Sequence, residues 1–192
     1  MIVLASASPR RQELLRNAGF KFSVCPADVP EILSDGENPA QFAKRLALEK
    51  AQAIFDTLAA GNAHCERRFV LGADTVVVVD EHVLGKPSDE ADAVRMLRML
   101  SGRKHEVTTG VCLIGADFND LRAETTQVVF EVLSDEDIRS YVATGEPMDK
   151  AGAYAIQGIA SRWIPRIDGC YFNVVGLPVA LVCRMLREHA AE

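Results

Sequence analysis

The chain has 192 residues, 48% of them hydrophobic, and a formal net charge of −6. That much apolar material fills the core of one large domain or of two closely joined lobes, and it excludes a disordered chain. The negative balance argues against broad attraction to nucleic acid or to an anionic membrane, so any anion site must be a local cluster of cations working against the global field.

Ile2 to Ala5 reads as a short buried strand. Its apolar run is too short for a signal h-region, and no run approaches the ~18 apolar residues of a membrane helix, so a soluble cytoplasmic protein is expected. Cys25, Cys65, Cys112, Cys170 and Cys183 include no CxxC pair and read as reduced thiols. A helix follows the strand, with Ser8 as its N-cap, Pro9 at the first helical position, leucines at helical spacing and Gly19 just past the end. Arg10 and Arg11 occupy its first turn, where the free N–H groups carry partial positive charge and acids are favoured. Either those N–H groups, the Ser8 hydroxyl and the two guanidinium forks converge on a phosphate or carboxylate, or the arginines are solvated or paired with acids elsewhere. No GxxxxGK[ST] is present, so the segment is not a P-loop.

Lys21 to Cys25 reads as a second extended piece, and the polar stretch "PADVPEILSDGENP" leads to a long helix with Asn38 as cap, Pro39 first and Gly61 past its end. At 100° per residue, Phe42, Leu46, Ala47, Ile54 and Leu58 share one broad face. Lys50 falls inside that face. A buried ammonium is costly unless paired, so Lys50 must snorkel outward, meet a carboxylate or line a polar cleft. Glu31, in the polar connection, reads on pattern alone as loop solvation.

"RFVLGADTVVVVD" predicts a valine-rich strand and "DEHVLGKP" a tight hairpin with a short return strand. Asp74 interrupts the strand beside the small Gly72 and Ala73. A general base, a metal ligand or a partner for a lysine would each explain it, with a bulge or strand end as the alternative. Thr75 faces the opposite side if the strand is regular. Ser88 is expected to cap the next helix, with Asp89 and Glu90 in its first turn and Gly102 past its end. Strands around "HEVTTGVCLIGA" and "ETTQVVFEVL" come next, then a capping box from Ser134 to Asp137, a stop at Gly145 and a last helix after Pro178. Helices interleaved with hairpins predict an α/β fold with a mixed sheet covered by helices, any second lobe coming from the middle of the chain.

Lys86 in "GKP", and Lys150 and Gln157 in "DKAGAYAIQG", carry little weight singly, because exposed lysines are common. HExxH, zinc spacing and GxSxG are absent, and His64, His82, His105 and His189 are dispersed. A hard divalent cation held by one or two carboxylates and by substrate phosphates stays open.

Taken in order, "SASPRRQELL", "RLALEKA", "LGADTVVVVD", "GKP", "DKAGAYAIQG" and "VVGLP" resemble the successive motifs of the Maf family of nucleotide pyrophosphatases, also called septum formation inhibitors, over almost the entire chain. The resemblance implies one domain over residues 1–192: an elongated mixed sheet flanked by helices, with two lobes around a deep cleft, similar to inosine triphosphate pyrophosphatases and commonly a homodimer. It further implies cleavage of a nucleoside triphosphate between the α and β phosphates, with Mg²⁺ or Mn²⁺, to the monophosphate and pyrophosphate. Asp74 would be the proton acceptor that activates water, and Arg10, Thr75 and Gln157 would select the base. The arginine pair after Ser-Pro, the "GADT" form and the "YAIQG" form resemble the branch acting on dTTP and UTP. The sister branch, which acts on 7-methyl-GTP, typically has a tryptophan after the Ser-Pro and no threonine after the aspartate. Glu31 aligns with one of two acids that are often adjacent in the family, and Pro30 stands where its neighbour would be. On this view the phosphates meet Ser8, Arg11, Lys50 and Lys86, and a divalent ion bridges them to Glu31 and Asp74. Lys150 contacts phosphate or pairs with Asp74. The expected partner is a small nucleotide, with no stable nucleic acid and no membrane. The competing readings are the 7-methyl-GTP pyrophosphatase and a non-catalytic nucleotide-binding regulator of septum formation.

Overall fold

Seven short and long strands pair edge to edge among the described residues, which in this computed structural model are 1–60 and 69–190. The helix stop expected at Gly61, together with His64 and Cys65, lies outside them. The strands are β1 (Ile2–Leu4), β2 (Phe22–Val24), β3 (Phe69–Val79), β4 (His82–Leu84), β5 (Lys104–Ile114), β6 (Asn119–Val129) and β7 (Arg166–Asp168). Their spatial order is β2-β1-β3-β5-β6-β7, with β4 also on β3. β1 runs parallel to β2 and to β3, whereas β4 on β3 and β7 on β6 are antiparallel, so the sheet is mixed. The helices are α1 (Pro9–Asn17), α2 (Pro39–Ala60), α3 (Glu90–Leu100), α4 (Asp135–Val142), α5 (Tyr171–Val175) and α6 (Val179–Ala190). Among the described residues no helix is long and apolar enough to cross a membrane.

The chain divides into two compact units. The first is Met1–Asp74, Thr109–Glu124 and Gly176–Glu192; the second is Thr75–Thr108 and Thr125–Val175. In the first, Val3, Ala5, Ala47, Ala51, Val70 and Cys112 form a buried core. The helix α2 approaches the strands here unusually closely, and two glycines permit it. A Cβ on Gly72 would lie 2.1 Å from the Ala47 carbonyl oxygen, and one on Gly110 would lie 2.3 Å from that of Ala43. Small side chains on the facing ridge of the helix, Ala43, Ala47 and Ala51, complete the fit, as close packing at interior density requires.

The helices of the second unit are, among the described residues, α3, α4, α5 and short 3₁₀ segments. Aromatic contacts run through its interior: His105, Phe130 and Tyr154 meet edge to face with centroids 4.8–5.4 Å apart, and Tyr141 meets Trp163 in the same manner at 5.4 Å. The hairpin between β3 and β4 turns through Asp80 and Glu81, both left-handed at φ 47° and 66°, with Val79 opposite His82. Two positive φ values in a two-residue loop are the geometry that matches strand twist, here adopted without the usual glycine.

Three local expectations are corrected. The cap of α3 is Asp89 and not Ser88: the Asp89 carboxylate accepts the Asp92 N–H at 2.7 Å, while Ser88 donates to the Asp92 carboxylate. Ser8 does occupy the N-cap of α1, but makes no side-chain cap bond; its N–H donates to Ser6 Oγ at 3.3 Å. Strand β6 starts at Asn119, five residues before the apolar run that signalled it, because a tight turn from Gly115 to Phe118 sends polar residues straight into pairing. The capping box at Ser134 and Asp137 is present, as is the left-handed Gly145 after α4. Cys25, Cys112, Cys170 and Cys183 are free thiols, and burial pushes the Cys112 thiol up to about 12, leaving it unreactive at neutral pH.

Candidate active site

Alternation along β3 places Gly72 and Asp74 on the same side of the strand, the side against which α2 is packed. Lys50 lies three residues beyond Ala47 on that helix, so the same ridge that touches Gly72 carries the ammonium toward Asp74. Lys50 Nζ donates to Asp74 Oδ1 at 2.6 Å and to Glu31 Oε1 at 2.7 Å. Of the three fates open to a lysine on this face, pairing with carboxylates is the one adopted, and Lys50 is only 7% exposed. Asp74 sits inside an unbroken eleven-residue strand, which removes the bulge explanation. Glu31, unremarkable as a loop acid, supplies the second carboxylate.

A second cation stands beside this pair. Arg11 turns inward from the first turn of α1 and is buried, with Nε donating to the Gly176 carbonyl at 2.8 Å and Nη1 to Ser6 Oγ at 3.1 Å and the Ala73 carbonyl at 2.8 Å. Burial lowers its pKa, against the raising influence of Asp74 and Glu31, and a guanidinium stays protonated regardless. Arg11, Lys50 and Asp74 therefore share one buried locality in the first unit, with the exposed Glu31 reaching in from its edge, a balance that offsets desolvation costs no single buried charge there would survive.

Asp74 is pulled in both directions by these surroundings. Burial raises its pKa above the ordinary carboxylate range and Glu31 adds to the rise, while Lys50 and Arg11 pull it down. A buried carboxylate held between opposing influences, with a raised proton affinity and a fixed orientation, has the properties of a general base.

The remaining candidates fall elsewhere. Ser8 and Arg10 are half-buried at the start of α1. Thr75 follows Asp74 on β3 but belongs to the second unit, as do Lys86, exposed just after β4, and Gln157, exposed between two 3₁₀ turns. Lys150 donates to the Glu146 carbonyl at 2.7 Å and pairs with Asp149, so the lysine partner of Asp74 is Lys50. Arg11 is held by Ser6 and by the carbonyls of Ala73 and Gly176, a use that the sequence did not announce for any of the three. Ala73 stood out only for its small side chain beside Asp74, and Gly176, left-handed at φ 127°, only as part of the "VVGLP" motif.

Among the described residues no three His, Cys, Asp or Glu side chains gather to hold a metal by themselves. Glu31 and Asp74 nevertheless reach the same ammonium, so two hard oxygen donors stand close together. Such a donor pair fits Mg²⁺ or Mn²⁺ completing its shell with phosphate oxygens and water, and it does not fit zinc.

The family described as Maf-like protein matches residues 1–189. Among curated relatives, proteins named dTTP/UTP pyrophosphatase are 59% identical in Koribacter versatilis, over 97% of this chain and 93% of the relative. The one in Geobacter sulfurreducens is 55% identical over 99% and 97%, and the one in a Geobacillus species 45% identical over 97% of each. Coverage of this extent, from β1 into α6 and across the whole charge cluster, makes this chain a member of the Maf-like family.

Proposed function

We propose that this protein is a nucleoside triphosphate pyrophosphatase that hydrolyses dTTP and UTP between the α and β phosphates, releasing the monophosphate and pyrophosphate. The observation that carries the reading is Asp74: a buried, inward-facing carboxylate held by Lys50, with a proton affinity raised by burial. The names of the relatives supply the substrate class.

In this scheme Asp74 takes the proton of the attacking water on the oxygen that Lys50 does not engage, and Lys50 holds the carboxylate in position. Ser8, Arg11 and Lys86 meet the phosphates, with Arg11 contributing a fixed positive charge beside the base; Lys150 is a further phosphate ligand. Cations placed where charge develops on departing pyrophosphate are what a hydrolytic phosphoryl transfer needs. Glu31 and Asp74 would hold Mg²⁺ or Mn²⁺, which when bound neutralises phosphate charge. Arg10, Thr75 and Gln157 read the base: a pyrimidine offers carbonyls and an N3–H, and a polar group left unmet by another base penalises that base. The protein acts as a cytoplasmic homodimer.

The test is a panel of UTP, dTTP, 7-methyl-GTP, ATP and GTP, with monophosphate and pyrophosphate both quantified. Preference for UTP and dTTP with equimolar pyrophosphate is expected. Preference for 7-methyl-GTP, or release of inorganic phosphate, overturns the assignment.

A further inference from the structure

Gln157 is exposed and lies outside any helix or strand, yet a residue that discriminates bases must be held within a fraction of an ångström of its working position. The backbone on either side of it shows how. The Gly158 N–H donates to the Ala155 carbonyl at 3.0 Å and closes the turn. Two residues before Gln157, the Ala155 N–H donates to the Tyr141 hydroxyl at 3.1 Å. Two residues after it, the Ile159 N–H donates to the Glu146 carboxylate, at 3.1 Å to Oε1 and 3.4 Å to Oε2. The two acceptors are themselves joined, the Tyr141 hydroxyl donating to Glu146 Oε1 at 2.8 Å. We propose that Tyr141 and Glu146 act as a clamp that positions Gln157, and are specificity-determining residues for the base although neither touches the nucleotide.

Each part of the clamp is built into the second unit. Tyr141 is 1% exposed, its ring wedged against Trp163 at the end of α4. Burial raises the phenol pKa, so the hydroxyl stays a neutral donor to the carboxylate and still accepts the Ala155 N–H. Glu146 follows the left-handed Gly145 and precedes a buried Pro147, which fixes its backbone. Its carboxylate comes so near the turn that a Cβ on Gly158 would lie 2.3–2.5 Å from it; only glycine admits that approach. The carbonyl of the same residue accepts from Lys150 Nζ, so Glu146 anchors a second candidate site residue through its backbone.

The inference rests on the reading of Gln157 as a base-selecting residue, and the experiment separates the two. Values of kcat and KM for UTP and GTP are measured for wild type, Gln157→Ala, Tyr141→Phe, Glu146→Gln, Glu146→Ala and the Tyr141→Phe/Gln157→Ala double variant, each below its measured melting temperature. Tyr141→Phe is expected to lower the kcat/KM preference for UTP about five-fold, the worth of one hydrogen bond, through KM more than kcat. In the Gln157→Ala background the same change should cost less than about two-fold, because its target is gone. Glu146→Gln, which keeps an acceptor oxygen, should lose less preference than Glu146→Ala. An unchanged preference in Tyr141→Phe, while Gln157→Ala loses it, overturns the clamp and spares the reading of Gln157; so does a full five-fold loss persisting in the double variant. An unchanged preference in Gln157→Ala overturns both.

Discussion

Lys50 and His105 are the two deeply buried basic side chains that best repay comparison, at 7% and 3% exposure, one in each unit. Lys50 is given two carboxylates at hydrogen-bond distance and carries its charge in the interior. His105 is given a phenol, with Tyr154 Oη 2.8 Å from its Nε2, and the edge-to-face rings of that tyrosine and of Phe130; burial drives its pKa down to about 4, so it is neutral. Equal burial has opposite electrostatic outcomes because the partners differ. Charge retained in the interior is expensive and marks chemistry, whereas charge surrendered to burial marks architecture.

The largest effect that would break this contrast is at Asp74. Asp74→Asn keeps the shape and removes the base, and pyrophosphate release should fall roughly 10²–10⁴-fold while nucleotide binding, followed by calorimetry, persists. Turnover that survives the change would show that the charged cluster is structural after all. Next comes Lys50→Met. It leaves a buried carboxylate without its main partner and should cost about 3–5 kcal/mol in urea unfolding. It also sharpens the pH argument: Asp74 works only when ionised, so activity falls as pH drops through its raised pKa. Removing Lys50 withdraws the chief opposing influence and should move that acid limb of kcat/KM to higher pH. The smallest effect belongs to His105. Its folded pKa lies below the 6.5 of the unfolded chain, so between pH 6.5 and 4 the unfolded state takes up a proton that the native state refuses. Stability is therefore fully present above pH 6.5 and declines toward pH 4, by about 3 kcal/mol for this residue. His105→Phe should flatten that part of the stability profile in urea titrations; an undiminished slope would mean that the ring is already charged at neutral pH.

Most of the fold could be read ahead of the structure because its signals are local. The box at Ser134 and Asp137, the stop at Gly145 and the valine-rich run of "FVLGADTVVVV" each lie within a few residues. Local reading failed where neighbours compete: Ser88 and Asp89 are both good caps, and the carboxylate of Asp92 reaching back to Ser88 settled the choice. At the site, Lys50 and Asp74 were conspicuous because each violates the pattern of its own element. Their partnership with Glu31 was not, since 19 residues separate Glu31 from Lys50 and nothing in a polar loop indicates which acid turns inward. Arg11 shows the same limit more sharply. Its misplacement at a helix start was visible, but its use, a bond to a carbonyl 165 residues away, belongs to tertiary structure alone. The Tyr141 and Glu146 clamp escaped notice for a related reason: it acts on backbone N–H groups, which every residue possesses and no sequence motif announces.

Gly72 and Gly110 lend the site a dependence on what is missing. The distance from Lys50 to Asp74 is set by how far α2 can settle onto its strands, and that depth is gauged by two absent methyl groups. Either methyl restored would lift the helix by more than the tolerance of a hydrogen bond, withdrawing the ammonium while leaving every charged group in the chain intact. Loss of function thus has a route through positions that carry no functional group at all.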